Sequence, residues 1–154
     1  MRPTSERARQ AFFNIVGDRI DGARFLDLFS GSGIFSFEAV SRGAASSIAI
    51  DRDTDSITKL AEKWGVPVKG VRGDVLAVLA RLSRETFDVV FADPPYDYPR
   101  YDDLLQAVDG LSLAPDPVVA VEHRRRTEPF TAQTKKLRFQ RRAEYGEIWI
   151  TFFA

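Results

Sequence analysis

There is no cysteine in this chain, a single histidine, a single methionine and no net charge. Without cysteine there is no disulfide framework, no thiolate nucleophile and no thiolate metal site. One histidine leaves little for His-rich ligation or for a nucleophile–His–acid triad, so no metal is expected. No apolar run approaches the ~18 residues of a spanning helix, and no signal peptide opens the chain. These absences point to a cytoplasmic protein with no membrane partner. The 154 residues suit one compact domain, 1–154, expected to be a monomer.

Nor is there an excess of either sign, because 22 basic side chains balance 22 acidic ones. The balance is uneven along the chain, however. Over residues 123–142, Arg124, Arg125, Arg126, Lys135, Lys136, Arg138, Arg141 and Arg142 stand against one acid, Glu128, a net +7 that leaves −7 on the remainder. A basic window on an acidic body is a candidate phosphate-binding face. The plain alternative is a solvated strand-and-loop surface, and the motifs below favour the first.

Short apolar runs alternate with helical segments, the pattern of an α/β domain around a mostly parallel sheet. A first helix is expected over 5–16, with Thr4 as its N-cap and Ala8, Phe12, Phe13 and Val16 at helical spacing. Strands are expected over 24–29, 47–50, 66–71, 87–92 and 118–121, with helices over 32–41, up to 64, 75–82 and 101–108. Residues 137–153 alternate around Tyr145-Gly146-Glu147 and predict an antiparallel hairpin. Five parallel strands with a closing hairpin suit a doubly wound sheet, whose ligands bind outside the C-terminal strand ends where strand order reverses.

Asp27-Leu28-Phe29-Ser30-Gly31-Ser32-Gly33 ends strand one and opens a helix. Gly31 and Gly33 allow a sharp turn and close approach to a ligand. NAD enzymes share such a turn. Two features favour S-adenosyl-L-methionine instead: Ser36 replaces the third glycine of the dinucleotide fingerprint, and Asp27 stands where it would attract an ammonium but repel a pyrophosphate. Asp51, twenty residues after Gly31, is placed to accept both ribose hydroxyls. Asp74 is placed to accept from the adenine amino group or to cap the helix from Val75, and Asp53 is better explained as a cap.

Asp93-Pro94-Pro95-Tyr96 directly follows the fourth strand. An aryl amine is a poor nucleophile, because its lone pair is delocalised into the ring. Acceptors for its hydrogens favour a more tetrahedral nitrogen and return density to it. Asp93 supplies a carboxylate and Pro94 a carbonyl, the prolines stiffen the turn, and Tyr96 offers a ring for a splayed-out base. The plain alternative is a rigid Pro-Pro loop with an exposed tyrosine. The glycine turn and Asp51 weigh against it. Neither metal nor covalent nucleophile is needed for one in-line displacement.

In these motifs the chain resembles the RsmD-like RNA methyltransferases, which act on a guanine amino group of bacterial small-subunit ribosomal RNA. The resemblance covers nearly the whole chain. It rests on Arg2-Pro3-Thr4 with Arg9, Phe13 and Asn14, on the glycine turn, on Asp51-Arg52-Asp53, on Asp93–Tyr96 and on Tyr145-Gly146-Glu147. It implies a Rossmann-like class I methyltransferase fold, a mostly parallel seven-stranded sheet with a C-terminal antiparallel hairpin. It further implies S-adenosyl-L-methionine as cofactor, S-adenosyl-L-homocysteine as product, and 16S rRNA or the small ribosomal subunit as partner. Cofactor binding is expected at Arg2, Thr4, Asp27, Phe29, Gly31, Gly33, Asp51, Arg52, Asp74 and Asp93, and catalysis at Asp93, Pro94, Pro95 and Tyr96.

Family members usually carry a basic segment before Arg-Pro-Thr, where this sequence has only Met1. Either the basic window docks RNA through Arg124, Arg125, Arg126, Arg141 and Arg142, or a piece is missing, or the substrate differs. Rivals are a DNA adenine or cytosine methyltransferase, a protein glutamine methyltransferase and a non-catalytic RNA-binding module of the same fold. The first lacks a segment long enough for recognition. The second usually has Asn in place of Asp93, and the third has no need of an intact site.

Overall fold

The computed structural model describes residues 3–82, 84–125, 130 and 133–154, with backbone only for residues 3 and 4. In chain order the elements are α1 (Pro3–Val16), a 3₁₀ turn (Gly17–Ile20), β1 (Arg24–Leu28), α2 (Ile34–Ser41), β2 (Ser46–Asp51), α3 (Asp55–Trp64) and β3 (Val68–Arg72). There follow α4 (Val75–Leu79), β4 (Thr86–Ala92), α5 (Tyr101–Asp109), β5 (Ser112–Arg124), β6 (Phe139–Tyr145) and β7 (Ile148–Phe153). They form a seven-stranded sheet of order β3-β2-β1-β4-β5-β7-β6. Strands β1 to β5 run parallel, while β7 is antiparallel to both β5 and β6. The expected α/β sheet with its closing hairpin is what is found.

Strands β1 and β4 are buried on both faces, which explains their unbroken apolar runs. On one side Leu26, Leu28, Val90 and Ala92 meet Val75, Val78 and Leu79 of α4 and Leu104, Leu105 and Val108 of α5. On the other, Phe25, Val89 and Phe91 meet Phe12, Phe13 and Val16 of α1 and Ala39 of α2. Helix α3 packs beside α2 through Ile57 and Ala61. The ring of Phe12, fully buried, touches Phe13, Phe25, Phe35, Phe91 and Phe152 at centroid distances of 4.9, 6.3, 5.7, 5.0 and 6.2 Å. It joins α1 to four other parts of the fold.

Several boundaries differ from expectation. Helix α1 starts at Pro3, a residue suited to a first turn, so Thr4 lies inside the helix and does not cap it. Helix α4 ends at Leu79, where Arg81 and Leu82 switch to bonds three residues back, on Val78 and Leu79. Strand β5 begins six residues early. Leu113 pairs with Phe87 and Val118 with Val89, so residues 114–117 bulge opposite Asp88 alone. Pro115 and Pro117 lie in that bulge, where the missing N–H is tolerated. The hairpin turns at Gly146, with φ 60°, followed by Glu147 at negative φ, the type II′ pattern that suits strand twist.

Phe12→Ala should therefore cost about 3–5 kcal/mol of stability, the range for truncating a buried aromatic ring. Denaturant unfolding of the two proteins measures this, and a loss below about 1 kcal/mol would contradict the role given to this ring.

Candidate active site

All five parallel strands deliver their carboxyl ends to one edge, and strand order reverses between β1 and β4. Two cavities open there. One, of about 430 Å³, is lined by Phe29, Asp51, Arg52, Gly73, Asp74, Val75, Asp93, Pro95 and Tyr98. The other, of about 300 Å³, is lined by Ser5, Asp93, Pro94, Pro95, Tyr96, Tyr101, Glu122, His123, Arg124 and Ile148. Asp93 and Pro95 belong to both. Arg2 and Arg126 lie outside the described residues, as does the side chain of Thr4.

The larger cavity is shaped by the turn after β1. Phe29 adopts φ 59°, the one non-glycine residue among those described with positive φ, and its ring meets the edge of Tyr98 at 5.1 Å. The Ser30 amide donates to the Ile50 carbonyl (3.0 Å), and the Gly31 amide donates to Asp51 Oδ2 (2.8 Å). Asp51 Oδ1 accepts from the Arg52 amide (2.7 Å), so both oxygens are oriented while each keeps a further lone pair. Gly31 and Gly33 have φ 54° and 81°. The two glycines differ in what they demand. A Cβ at Gly31 would meet nothing, so backbone conformation alone calls for glycine there, whereas at Gly33 it would lie 2.9 Å from Ile57 Cγ1.

Asp74 caps α4, accepting from the Ala77 amide at 3.1 Å, and also lines the cavity. Asp53, expected to cap α3, instead lies one residue before the N-cap position, Thr54, and accepts from the Asp55 amide two residues on. Asp27 lines neither cavity. It is 2 % exposed and turned toward α2, where Oδ2 accepts from the Ser36 hydroxyl (2.7 Å) and amide (3.2 Å), and Ser47 donates to Ser36 Oγ (2.8 Å). It anchors the helix that follows the turn.

In the smaller cavity the Asp93 amide donates to the Leu28 carbonyl (3.1 Å), and the Tyr98 amide closes the loop on the Pro95 carbonyl (3.0 Å). Among the described residues the Pro94 carbonyl accepts no hydrogen bond. Tyr96 is 77 % exposed, with the Arg124 guanidinium 4.8 Å from its ring centroid, leaving the other ring face open. Asp93 is exposed where the two cavities meet. Crowding raises its pKa above the ordinary carboxylate range, opposed in part by a hydrogen bond with the Glu122 side chain and by the charge of Arg124. Burial, followed by the charges of Asp93 and Glu122, pushes the Tyr101 phenol up to about 12 and keeps it neutral.

Glu122, Tyr98 and Tyr101 escaped the sequence reading. For Glu122 the signal was present: an acid at the carboxyl end of a parallel strand. The +7 window, in contrast, is not one face. Among its described arginines and lysines, only Arg124 lines these two cavities. Arg125 pairs with Glu147 (3.7 Å). Asp109 gathers the amides of Lys135, Lys136 and Leu137 at 2.8, 3.0 and 2.9 Å, folding that loop against α5. Neighbouring positions on a strand point to opposite faces, which separates Arg141 from Arg142. Arg141 is exposed, whereas Arg142 stacks on Trp149 (4.1 Å) and approaches Glu144 (3.6 Å).

The sheet order, the glycine turn and the acid-lined cleft at the reversal point define the class: a Rossmann-like methyltransferase fold. The family model described as Conserved hypothetical protein 95 matches residues 1–154, and the chain belongs to that family. YlbH of Bacillus subtilis (strain 168), a candidate rRNA methyltransferase, is 36 % identical over an alignment 142 residues long, with 82 % of this chain and 73 % of YlbH covered. Ribosomal RNA small subunit methyltransferase D of Escherichia coli (strain K12) is 31 % identical over 127 residues, 79 % of this chain and 64 % of that protein, so the RsmD resemblance holds. The solved structure of yhhF from Escherichia coli, a candidate methyltransferase, superposes with a TM-score of 0.85 at 25 % identity, covering 99 % of this chain and 86 % of that one. The fold extends to SMU.776, solved complexed with SAH, at TM-score 0.76 and 16 % identity, covering 99 % of this chain and 50 % of that one.

Burial pushes Asp27 up to about 7, against the pull of its two bonds from Ser36. A carboxyl that holds its proton more tightly when folded contributes stability that is complete below its ordinary range and lost as pH rises through about 7. Relative to the parent, Asp27→Asn should gain on the order of 2–3 kcal/mol between pH 5 and pH 8. Paired denaturant titrations read this, and a pH-independent difference would refute the raised value. On β6, Arg142→Ala should lower stability by about 1 kcal/mol through the lost ring contact, and Arg141→Ala should change the melting temperature little.

Proposed function

We propose that the chain, acting as a single-domain monomer in the cytoplasm, is an S-adenosylmethionine-dependent methyltransferase for the exocyclic amino group of a nucleobase, guanine N2 of 16S rRNA in the small ribosomal subunit. One observation carries this reading: Asp93 lines both cavities, so one carboxylate faces the methyl donor on one side and the acceptor on the other.

The larger cavity fits the cofactor. Phe29, Val75 and Tyr98 give adenine an apolar and aromatic wall, Asp51 offers oriented oxygens to the ribose, and Asp74 stands at the rim. Ser30 Oγ is buried without a partner among the described residues, a polar group that a ligand or a water would satisfy. Among those residues no three acids or histidines converge to hold a metal ion, and no helix is long and apolar enough to cross a membrane. When bound, S-adenosylmethionine supplies a methyl group on a positively charged sulfur and leaves as S-adenosylhomocysteine.

The protein's part is positioning and electrostatics. The open face of Tyr96 stacks the extruded base, with Arg124 holding the ring from behind. Asp93 and the Pro94 carbonyl accept the two amino hydrogens, turning the nitrogen lone pair toward the donor cavity. Methylation leaves one proton too many on that nitrogen, and the Asp93 carboxylate is in place to receive it. The names and identities of the relatives support rRNA as the substrate, and the neutral tyrosines beside the acids suit a base better than a phosphate.

The test is labelled-methyl transfer to unmodified small subunits, both assembled and as free RNA, with the product nucleoside identified by mass spectrometry. N2-methylguanosine is the expected product, and transfer to neither substrate would refute the reading. With the same assay, Asp93→Ala should lower turnover by roughly two to three orders of magnitude at saturating cofactor. Asp51→Ala should weaken S-adenosylmethionine binding by roughly 2–4 kcal/mol, measured by calorimetry, since it removes two charge-assisted bonds and the anchor of Gly31.

A further inference from the structure

We infer that Glu122 restricts the reaction to guanine, by accepting the ring N1–H of the base while Asp93 accepts the neighbouring amino hydrogen. The inference rests on the base-methylating function proposed above and assigns its specificity to one residue.

The placement follows from strand register. Ala92 of β4 pairs with Val121 of β5, so the next residues, Asp93 and Glu122, leave adjacent parallel strands side by side. Both line the 300 Å³ cavity with Tyr96 and Arg124. The nearby charge of Arg124 favours the ionised form of Asp93, against the burial that raises its pKa. The cavity then presents two adjacent acceptors backed by a cation.

Among the bases that carry an exocyclic amine, only guanine complements this pattern. Its Watson–Crick edge sets the amino group beside a ring N–H, two donors in a row, with the O6 acceptor beyond them. Adenine and cytosine set the amino group beside a bare ring nitrogen, whose lone pair would face the Glu122 carboxylate. A buried acceptor left without its donor is costly, and sites built to accept an N–H reject analogues lacking it.

The test removes N1–H together with O6 and uses a Glu122 variant to tell the two apart. Once the nucleotide methylated by the parent enzyme has been mapped, substrate RNA is prepared with guanine or 2-aminopurine at that one position. 2-Aminopurine keeps the same amino group on the same carbon but has a bare N1. The parent enzyme should favour guanine in kcat/KM by about a hundredfold or more. Glu122→Gln, whose amide N–H donates to a bare N1, should narrow that preference by at least about tenfold, with S-adenosylmethionine affinity by calorimetry unchanged. Equal use of both bases by the parent overturns the inference and needs no variant to fold. So does a Glu122→Gln enzyme with an unaltered ratio. If the methyl group is found on adenine or cytosine, the proposed guanine reading falls with it. If it is found on guanine N2 but without discrimination against 2-aminopurine, only the role of Glu122 falls.

Discussion

The hydrogen bond from the Gly31 amide to Asp51 Oδ2 ties the turn after β1 to the end of β2, and the shape of the cleft depends on it. The turn must leave the sheet abruptly, because the strand below is buried on both faces and the helix above has to return along one of them. Glycines at positive φ permit this, but permission is not direction. Asp51 fixes the direction by drawing the Gly31 amide toward β2, and the bond from Ser30 to Ile50 holds the step before it. Asp27 secures the far side by gripping Ser36 from beneath α2. Phe29, between these anchors, carries an uncommon backbone conformation and places its ring on the cavity wall.

A second consequence of a parallel sheet is that every strand ends at the same edge. Four acids, Asp51, Asp74, Asp93 and Glu122, gather on the walls of two neighbouring cavities for that reason. Such crowding would be unfavourable if each carboxylate stood alone. Asp51 is met by backbone amides, Asp74 by the start of α4, and Asp93 and Glu122 by each other and by Arg124. Asp93 and Glu122 lie beside Tyr96, where the reacting amine is proposed to sit.

The basic window illustrates how composition and arrangement separate. Its arginines and lysines follow one another in sequence, yet strand alternation, the turn at Gly146 and the amides gathered by Asp109 send them to different places. Arg124 faces the site, Arg125 and Arg142 meet acids of the hairpin, and Arg141 faces solvent.

Periodicity alone was enough to determine the parallel core, since runs such as 87–92 have one burial pattern open to them. Local chemistry was enough to mark Phe29–Gly33, Asp51 and Asp93–Tyr96, because a sharp glycine turn and a stiff Asp-Pro-Pro loop are made by neighbours in the chain. The early start of β5 was hidden by Pro115 and Pro117, which end a strand by local rules but are tolerated in a bulge opposite Asp88. Whether Asp27 met ligand or helix depended on the partner its carboxyl found, and Ser36 lies on another element. Glu122 gained meaning only from the register that sets it beside Asp93. Residues close in sequence obey short-range rules that can be read directly. Contacts between strand ends are set by pairing and packing over the whole sheet, and those only the tertiary structure decides.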